Sequence, residues 1–290
     1  FITFLYVVGI VGLDLHKKNK PKIPASGGIC VAFGVLAGLL VYLGLKAFLY
    51  KSEPNMPLEI MALTSSILIV AFAGLFDDLN VKSKVIKTKD GINIKVGIPQ
   101  WFKPLLTLPA AVPLIVVKAG VSSISLPFFG LVDFGILYPL LIIPIAVVAI
   151  SNMINLVGGF NGVESGMGIV YMMSLGIYAL LHNNPISIVF FITAATLLAF
   201  LKYNWYPAKI LPGDSLTYLL GAIVASGIIV GNMEKVGLIV MIPFILEFFL
   251  KLRAKFNASC IGILRPDGKL DPPYGKKIYS ITHMIMNLGK

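Results

Sequence analysis

The chain has 290 residues, of which 57% are hydrophobic and 13% charged, with a mean hydropathy of +0.90. That balance excludes a soluble globular domain, which needs far more polar surface to cover its core. A formal net charge of +11 lies on this apolar background. No soluble binding module or basic-aromatic surface accompanies it, so it points to anionic lipid or an anionic substrate and not to nucleic acid.

In chain order, the opening apolar run stops at Leu13. It is too short to cross a bilayer and reads as a truncated helix, not a signal peptide. Helices of spanning character follow near 28–50, 59–76, 101–118, 134–152, 163–181, 186–203, 213–231 and 234–251. Pro104, Pro109, Pro113, Pro139, Pro144 and Pro243 fall inside these spans, where neighbouring helices can absorb the kinks. Between the second and third, Val85 to Val96 alternates around Asp90-Gly91, which predicts a short β-hairpin. Ile278 to Leu288 opens another apolar or amphipathic segment that ends before it could cross. The expected architecture is an all-α polytopic membrane protein, with residues 1–290 forming one integral membrane domain. Cys30 and Cys260 offer no disulfide framework.

The loops orient the chain. Lysines and arginines crowd one alternating set: 17–22, 82–103, 202–209 and 251–277. The opposite set holds little beyond Lys46, Lys51, Lys118 and Lys235. By the positive-inside rule the first set is cytoplasmic. The polar residues that interrupt the apolar pattern fall on that same side. Asp77, Asp78 and Asn80 close one span; Asn152 and Asn155 end another, three apart and so on one helical face. Gly158 to Glu164 then form a turn, Asp214 opens a later span, and Arg253, Lys255 and Arg265 lie in the last large loop.

Carboxylates at the mouth of a membrane helix are costly and usually retained for a task. Capping explains Asp77 and Asp78 poorly, because the C-terminal end of a helix repels negative charge. Together the acids, amides, glycines and basic residues suit a diphosphate with a divalent metal. Mg2+ takes one or two protein carboxylates and completes its shell with phosphate and water. Asp214 and the Asn155 amide are candidate ligands, with Asp77 or Asp78 as a base or a further ligand. His16, His182 and His283 are scattered, and neither a zinc cluster nor a Walker-A or dinucleotide signature is present.

Three runs carry a resemblance: Phe76-Asp77-Asp78-Leu79-Asn80; Asn152 to Glu164; and Asn204-Trp205-Tyr206-Pro207 with Gly213-Asp214-Ser215. In this order they resemble the polyprenyl-phosphate N-acetylhexosamine-1-phosphate transferases. Asp133 to Tyr138 and the Asn-Trp-Tyr-Pro segment favour the branch that uses UDP-N-acetylglucosamine and dolichyl phosphate. The resemblance runs from Gly12-Leu13-Asp14-Leu15-His16-Lys17 to the final loop. It implies about ten transmembrane helices around a cytoplasmic cleft, and attack of a lipid phosphate on the β-phosphate of a UDP-sugar. Position by position it implies Asn155 and Asp214 as Mg2+ ligands and Asp77 beside the lipid phosphate, with Asp78 next to it. It also implies the Leu15 backbone and Asn161 in a uridine pocket, and Asn152 and Asn80 lining the site.

Departures from the family pattern leave two assignments open. The inserted hairpin makes the phosphate-binding lysine ambiguous: anchoring on Trp101 selects Lys103, whereas counting from the aspartates selects Lys84 or Lys87. In the last loop the basic segment falls at Arg253 and Lys255, with Arg265 competing. The expected partners are UDP-N-acetylglucosamine, dolichyl or another polyprenyl phosphate, membrane lipids and a second copy in a homodimer. The expected location is the cell membrane of an archaeon or the endoplasmic reticulum of a eukaryote. The alternatives are a transferase using another UDP-N-acetylhexosamine or undecaprenyl phosphate, or a secondary transporter.

Overall fold

The computed structural model describes residues 1–49, 56–80, 85–87, 93–95, 98–126 and 130–288. Its N-terminal part is α1 (Ile2–Val8), β1 (Val11–Leu13), β2 (Lys22–Pro24), α2 (Gly28–Leu49) and α3 (Met56–Asn80). Next come β3 (Val85–Lys87), β4 (Asn93–Lys95), α4 (Lys103–Thr107), a 3₁₀ turn (Leu108–Ala111), α5 (Val112–Val116), β5 (Ser123–Leu126) and β6 (Gly130–Asp133). A π turn (Tyr138–Ile142) leads into α6 (Ile143–Leu156), followed by α7 (Val163–Leu181), α8 (Ser187–Asn204) and α9 (Asp214–Val230). The chain closes with α10 (Glu234–Val240), α11 (Ile242–Arg253), β7 (Ile263–Leu264), β8 (Leu270–Asp271) and α12 (Ile281–Leu288).

Five segments are helices long and apolar enough to cross a membrane: Gly28–Leu49, Met56–Leu79, Tyr138–Leu156, Val163–Leu181 and Ser187–Asn204. Lys103–Val116 and Asp214–Val230 are shorter apolar helices. Large side chains such as Phe33, Phe48, Phe72 and Val170 stand exposed on the outer faces, where hydrocarbon and not water is the natural solvent. This is a polytopic helical membrane protein.

Helix α9 is its axis: every residue from Ser215 to Val230 is buried. A helix apolar on all sides belongs inside a bundle, and α9 packs mainly against α3 and α6, with α2 also alongside. Glycine makes those crossings close. A Cβ at Gly28 of α2 would overlap the Leu216 backbone, one at Gly74 of α3 the Ser215 backbone, and one at Gly221 of α9 the Ser151 backbone. Small residues are how membrane helices maximise packing in a solvent that gives no hydrophobic push.

Several expected spans are interrupted. The 101–118 helix is three short pieces, because Pro104, Pro109 and Pro113 each remove a backbone donor. The expected 234–251 helix breaks at Met241, immediately before the turn that holds Pro243. The 134–152 span begins late, since Phe134 to Leu137 form a turn after β6. β3 and β4 pair antiparallel with Ile86 opposite Ile94, so the expected hairpin has its two strands; its Asp90-Gly91 turn lies outside the described residues. The β1–β2, β5–β6 and β7–β8 hairpins were not anticipated, because pieces of two to four residues carry no readable alternation.

The β1–β2 hairpin is anchored to the segment before α9 by three backbone bonds. Leu211 N–H donates to the Pro24 carbonyl (2.7 Å), Gly27 N–H to the Leu211 carbonyl (3.0 Å) and Gly28 N–H to the Pro212 carbonyl (2.9 Å). The loop that joins the two strands is thereby held beside the start of the central helix. Replacing Gly221 with Ala should lower the thermal midpoint in detergent by the equivalent of about 1–3 kcal/mol, since the obstructing atoms are backbone. An unchanged midpoint would mean that α6 can move aside freely.

Candidate active site

Asp77 and Asp78 occupy the last turn of α3, and they do different things. Asp78 reaches across to the start of α9: its Oδ1 accepts the Asp214 N–H at 2.7 Å and its Oδ2 the Ser215 N–H at 3.2 Å. The two carboxylate oxygens thus satisfy orphan donors of α9 and face the positive end of its dipole. The carboxylate packs closely on Gly213, whose φ of +74° suits glycine. Asp78 caps a helix after all, though a different helix from its own.

Asp77 is fully buried. Its Oδ1 accepts the Ile98 N–H at 3.2 Å and its Oδ2 the Tyr218 hydroxyl at 3.0 Å. The same Oδ2 lies 2.8 Å from Lys103 Nζ, and that nitrogen also lies 2.8 Å from Asp214 Oδ2. One ammonium is therefore shared by carboxylates from α3 and α9, with the Tyr218 ring 5.8 Å away. Of the three candidate lysines, Lys103, the one selected by anchoring on Trp101, lies here. Lys84 lies outside the described residues, and Lys87 falls in β3.

Beside this pair lies a cavity of about 400 Å³, a size suited to a small-molecule site. Part of its wall comes from α3, α6 and α9: Asp78, Asn155, Asp214 and Thr217. Thr217 donates to the Asn155 Oδ1 at 2.7 Å and so orients that amide. The facing side comes from β1 and the loop after it, the turn into α7, the segment before α9 and the last loop, and includes Asp14, Leu15, Phe160, Asn161, Glu164 and Cys260, with Gly158 and Gly159 between them. Gly159 (φ 102°) and Gly162 (φ 81°) give that turn its left-handed corners. Buried Asn204 pins it, accepting from Gly162 N–H (3.2 Å) and Ser165 Oγ (2.7 Å) while donating to the Ile210 carbonyl (2.9 Å).

Of the remaining candidates, Leu15 and Asn161 line the cavity. Asn152 turns to its neighbours, donating to Thr107 Oγ1 at 3.0 Å and the Val148 carbonyl at 2.8 Å. Asn80 ends α3. Arg253, Lys255 and Arg265 are not on the cavity wall. Arg253, the last residue of α11, and Lys255 just after it are exposed. Arg265 pairs with Asp267 (2.8 Å) and Asp271 (3.8 Å) in the β7–β8 hairpin. The last loop instead contributes Cys260, whose thiol donates to the Gly158 carbonyl at 2.6 Å. Burial pushes that thiol above its ordinary value.

Two further wall carboxylates are Asp14, which the sequence does not single out as a site residue, and Glu164, which reads from sequence as a helix-start or structural carboxylate and not a catalytic one. Glu164 Oε1 accepts the Gly159 N–H at 2.7 Å. Asp14 is buried, and burial by itself would raise its carboxyl. Donors from Asn161 and Lys17 and the Lys17 charge outweigh this and hold it below the usual value. A signal existed for Asp14, since it sits inside the Gly12 to Lys17 run that carries the resemblance.

Among the described residues no three His, Cys, Asp or Glu side chains converge as a self-sufficient metal cage. The donor set still fits Mg2+, which needs few protein oxygens when phosphates supply the rest. Asp214 and Asn155 share the wall of a cavity lined by four carboxylates, which a diphosphate could enter only with cationic help.

A family model described as glycosyl transferase family 4 matches residues 60–232, more than half of the chain. The chain belongs to glycosyl transferase family 4. A Saccharolobus solfataricus member, provisionally named UDP-N-acetylglucosamine–dolichyl-phosphate N-acetylglucosaminephosphotransferase, is 36% identical across 100% of this chain and 85% of its own length. The Dictyostelium discoideum protein of that name is 28% identical over 86% of this chain and 66% of its own. A Deinococcus radiodurans phospho-N-acetylmuramoyl-pentapeptide-transferase is 30% identical over 71% of this chain and 61% of its own. Within glycosyl transferase family 4, the matched region contains Asp77, Asp78, Lys103, Asn155, Asn161 and Asp214.

Lys103→Met should leave the buried Asp77 carboxylate facing the partly exposed Asp214 carboxylate without their shared cation. The expected loss of stability is about 1–3 kcal/mol, less than for a fully buried pair because Asp214 opens to the cavity, read as a lower midpoint of denaturant unfolding in detergent micelles. A midpoint equal to wild type would show that the ammonium is dispensable to the fold.

Proposed function

We propose that this chain transfers N-acetylglucosamine-1-phosphate from UDP-N-acetylglucosamine to dolichyl or another polyprenyl phosphate. An oxygen of the lipid phosphate attacks the β-phosphorus of the nucleotide sugar. The bond from that phosphorus to the bridging oxygen breaks, UMP leaves with that oxygen, and a diphosphate now links the lipid to the sugar. The observation that carries the reading is the set of Asp78, Asn155 and Asp214 on one cavity wall, with the Lys103 ammonium bonded to Asp214 at 2.8 Å. Near-full-length similarity to relatives with that name supports it.

Phosphoryl transfer asks a protein mainly for positioning and charge compensation. Asp214 and Asn155 would hold Mg2+, which supplies charge neutralisation to the diphosphate when bound. Lys103, buried behind the wall residue Asp214 and bonded to it, would compensate charge developing on phosphate oxygens. Asp77 holds Lys103 there and, through Tyr218, is itself held. A lipid phosphate is largely ionised near neutral pH, so Asp77 serves the acceptor by placement more than by taking a proton.

Residues 1–290 act in this reading as one membrane domain, and the family's ten-helix plan is the expected complete bundle. The crowding of lysine and arginine in the loops at 17–22, 82–103 and 251–277 supports a cytoplasmic face for the cavity, where a water-soluble nucleotide sugar would meet a membrane-bound acceptor. The archaeal relatives support a cell-membrane location. Family membership favours transfer over the transporter reading.

Purified protein given UDP-[14C]N-acetylglucosamine, Mg2+ and polyprenyl phosphate should form labelled lipid and UMP in equal amounts, and Asp214→Ala should cut both by about a hundredfold or more. UMP release without labelled lipid, or undiminished turnover by the variant, would contradict the proposal.

A further inference from the structure

Asp14 lies in the loop between β1 and β2 and is only 2% exposed. Its Oδ2 accepts from Asn161 Nδ2 at 2.9 Å and from Lys17 Nζ at 3.0 Å, and its Oδ1 from the His16 N–H at 3.3 Å. An ionised carboxylate can only accept hydrogen bonds, whereas a side-chain amide has one donating end and one accepting end. The pairing therefore decides which way round the Asn161 amide sits. Its NH2 must face Asp14, and its Oδ1 must turn away. Among the described residues that Oδ1 accepts no hydrogen bond from the protein, and Asn161 lines the cavity.

We infer that Asp14 is a specificity-positioning residue. By locking the Asn161 amide it fixes an acceptor toward the nucleobase and so selects uracil over cytosine. This rests on the UDP-sugar reading above. The wall formed by α3, α6 and α9 carries Asp78, Asp214 and the Asn155 amide, which suit phosphate and cation; on the opposite wall Asp14 is already engaged by Asn161 and Lys17, and Glu164 by the Gly159 N–H, which leaves that side to the base. That wall offers Phe160, stacked on His16 at 4.4 Å and 10°, together with glycine backbone; this patch is flat and suits a planar base. Uracil carries an N–H at N3, which donates to Oδ1. Cytosine has a lone pair at N3, which would face Oδ1 acceptor to acceptor. The mismatch leaves two polar atoms unpaired in a confined site, and such mismatches discriminate more strongly than a missing contact. If Asn161 were free to flip, its NH2 could serve cytosine equally well. Asp14 prevents the flip, and Lys17 together with the Asn161 NH2 keeps Asp14 ionised.

The test is the dissociation constant of UDP and of CDP on the purified full chain in detergent, with Mg2+ present throughout. Wild type should prefer UDP. Asp14→Asn has nearly the same shape but can donate or accept, so it frees Asn161; the preference for UDP should fall about tenfold. Asp14→Ser, which can also donate or accept, should do the same and serves if the asparagine variant does not fold. Adding Asn161→Ala to either should produce no further fall. If both affinities weaken together and their ratio is kept, Asp14 is merely structural and the inference is overturned. An additive fall in the double variant overturns it as well. A wild type without preference for UDP overturns the UDP-sugar reading itself, and is told apart because it appears before any substitution.

Discussion

The Lys103 ammonium is shared between two carboxylates, Asp77 at the end of α3 and Asp214 at the start of α9, at 2.8 Å each. Both helices deliver negative charge to one point, Asp77 buried and Asp214 open to the cavity, and the cation offsets the repulsion between them. The contact therefore fixes three elements at once: α3, the proline-broken α4 segment and the buried axis α9. Asp78 adds the second bond between the same helices by capping α9, which uses the α9 dipole to hold a charge that its own helix repels. The cavity is what lies beside this knot, and its shape depends on it.

A second set of contacts closes the other wall. The β1–β2 hairpin is sewn to the segment before α9, and its loop is bound to the turn before α7 through Asp14 and Asn161. Asn204 holds that turn from α8. Each of these residues bonds across the bundle to a partner far away in the chain. A membrane interior gives little driving force for helices to associate, so hydrogen-bonded side chains and close glycine crossings do the positioning that core burial does in water. The same polar groups can then serve a substrate without loosening the fold.

Much of this was legible in the sequence. Polar residues that interrupt apolar segments are costly in a membrane, which is why Asp77, Asn155, Asn161 and Asp214 stood out and why lysine distribution could sort them to one side. What was illegible were relationships set by packing. Asp78 looked wrongly placed for a cap because the helix it caps begins 136 residues later. Lys103 could not be separated from Lys84 or Lys87 by counting, since the inserted hairpin shifts the register; it is the path of α4 that brings the Lys103 ammonium to both carboxylates. The central position of α9 could not be told from the sequence, because several spans are apolar nearly all round and none of them has a periodic face to read. Arg253, Lys255 and Arg265 carried the right charge, yet the loop turns Cys260 and Ile261 to the cavity instead.

The most direct test of the shared-cation account is a double-mutant cycle on Asp77→Asn and Lys103→Met, reading both unfolding midpoint and turnover. If one ammonium balances these carboxylates, removing the Asp77 charge should restore part of the stability lost with Lys103→Met, while transfer activity stays absent in the double variant. Additive losses of stability, or recovered turnover without the lysine, would contradict it.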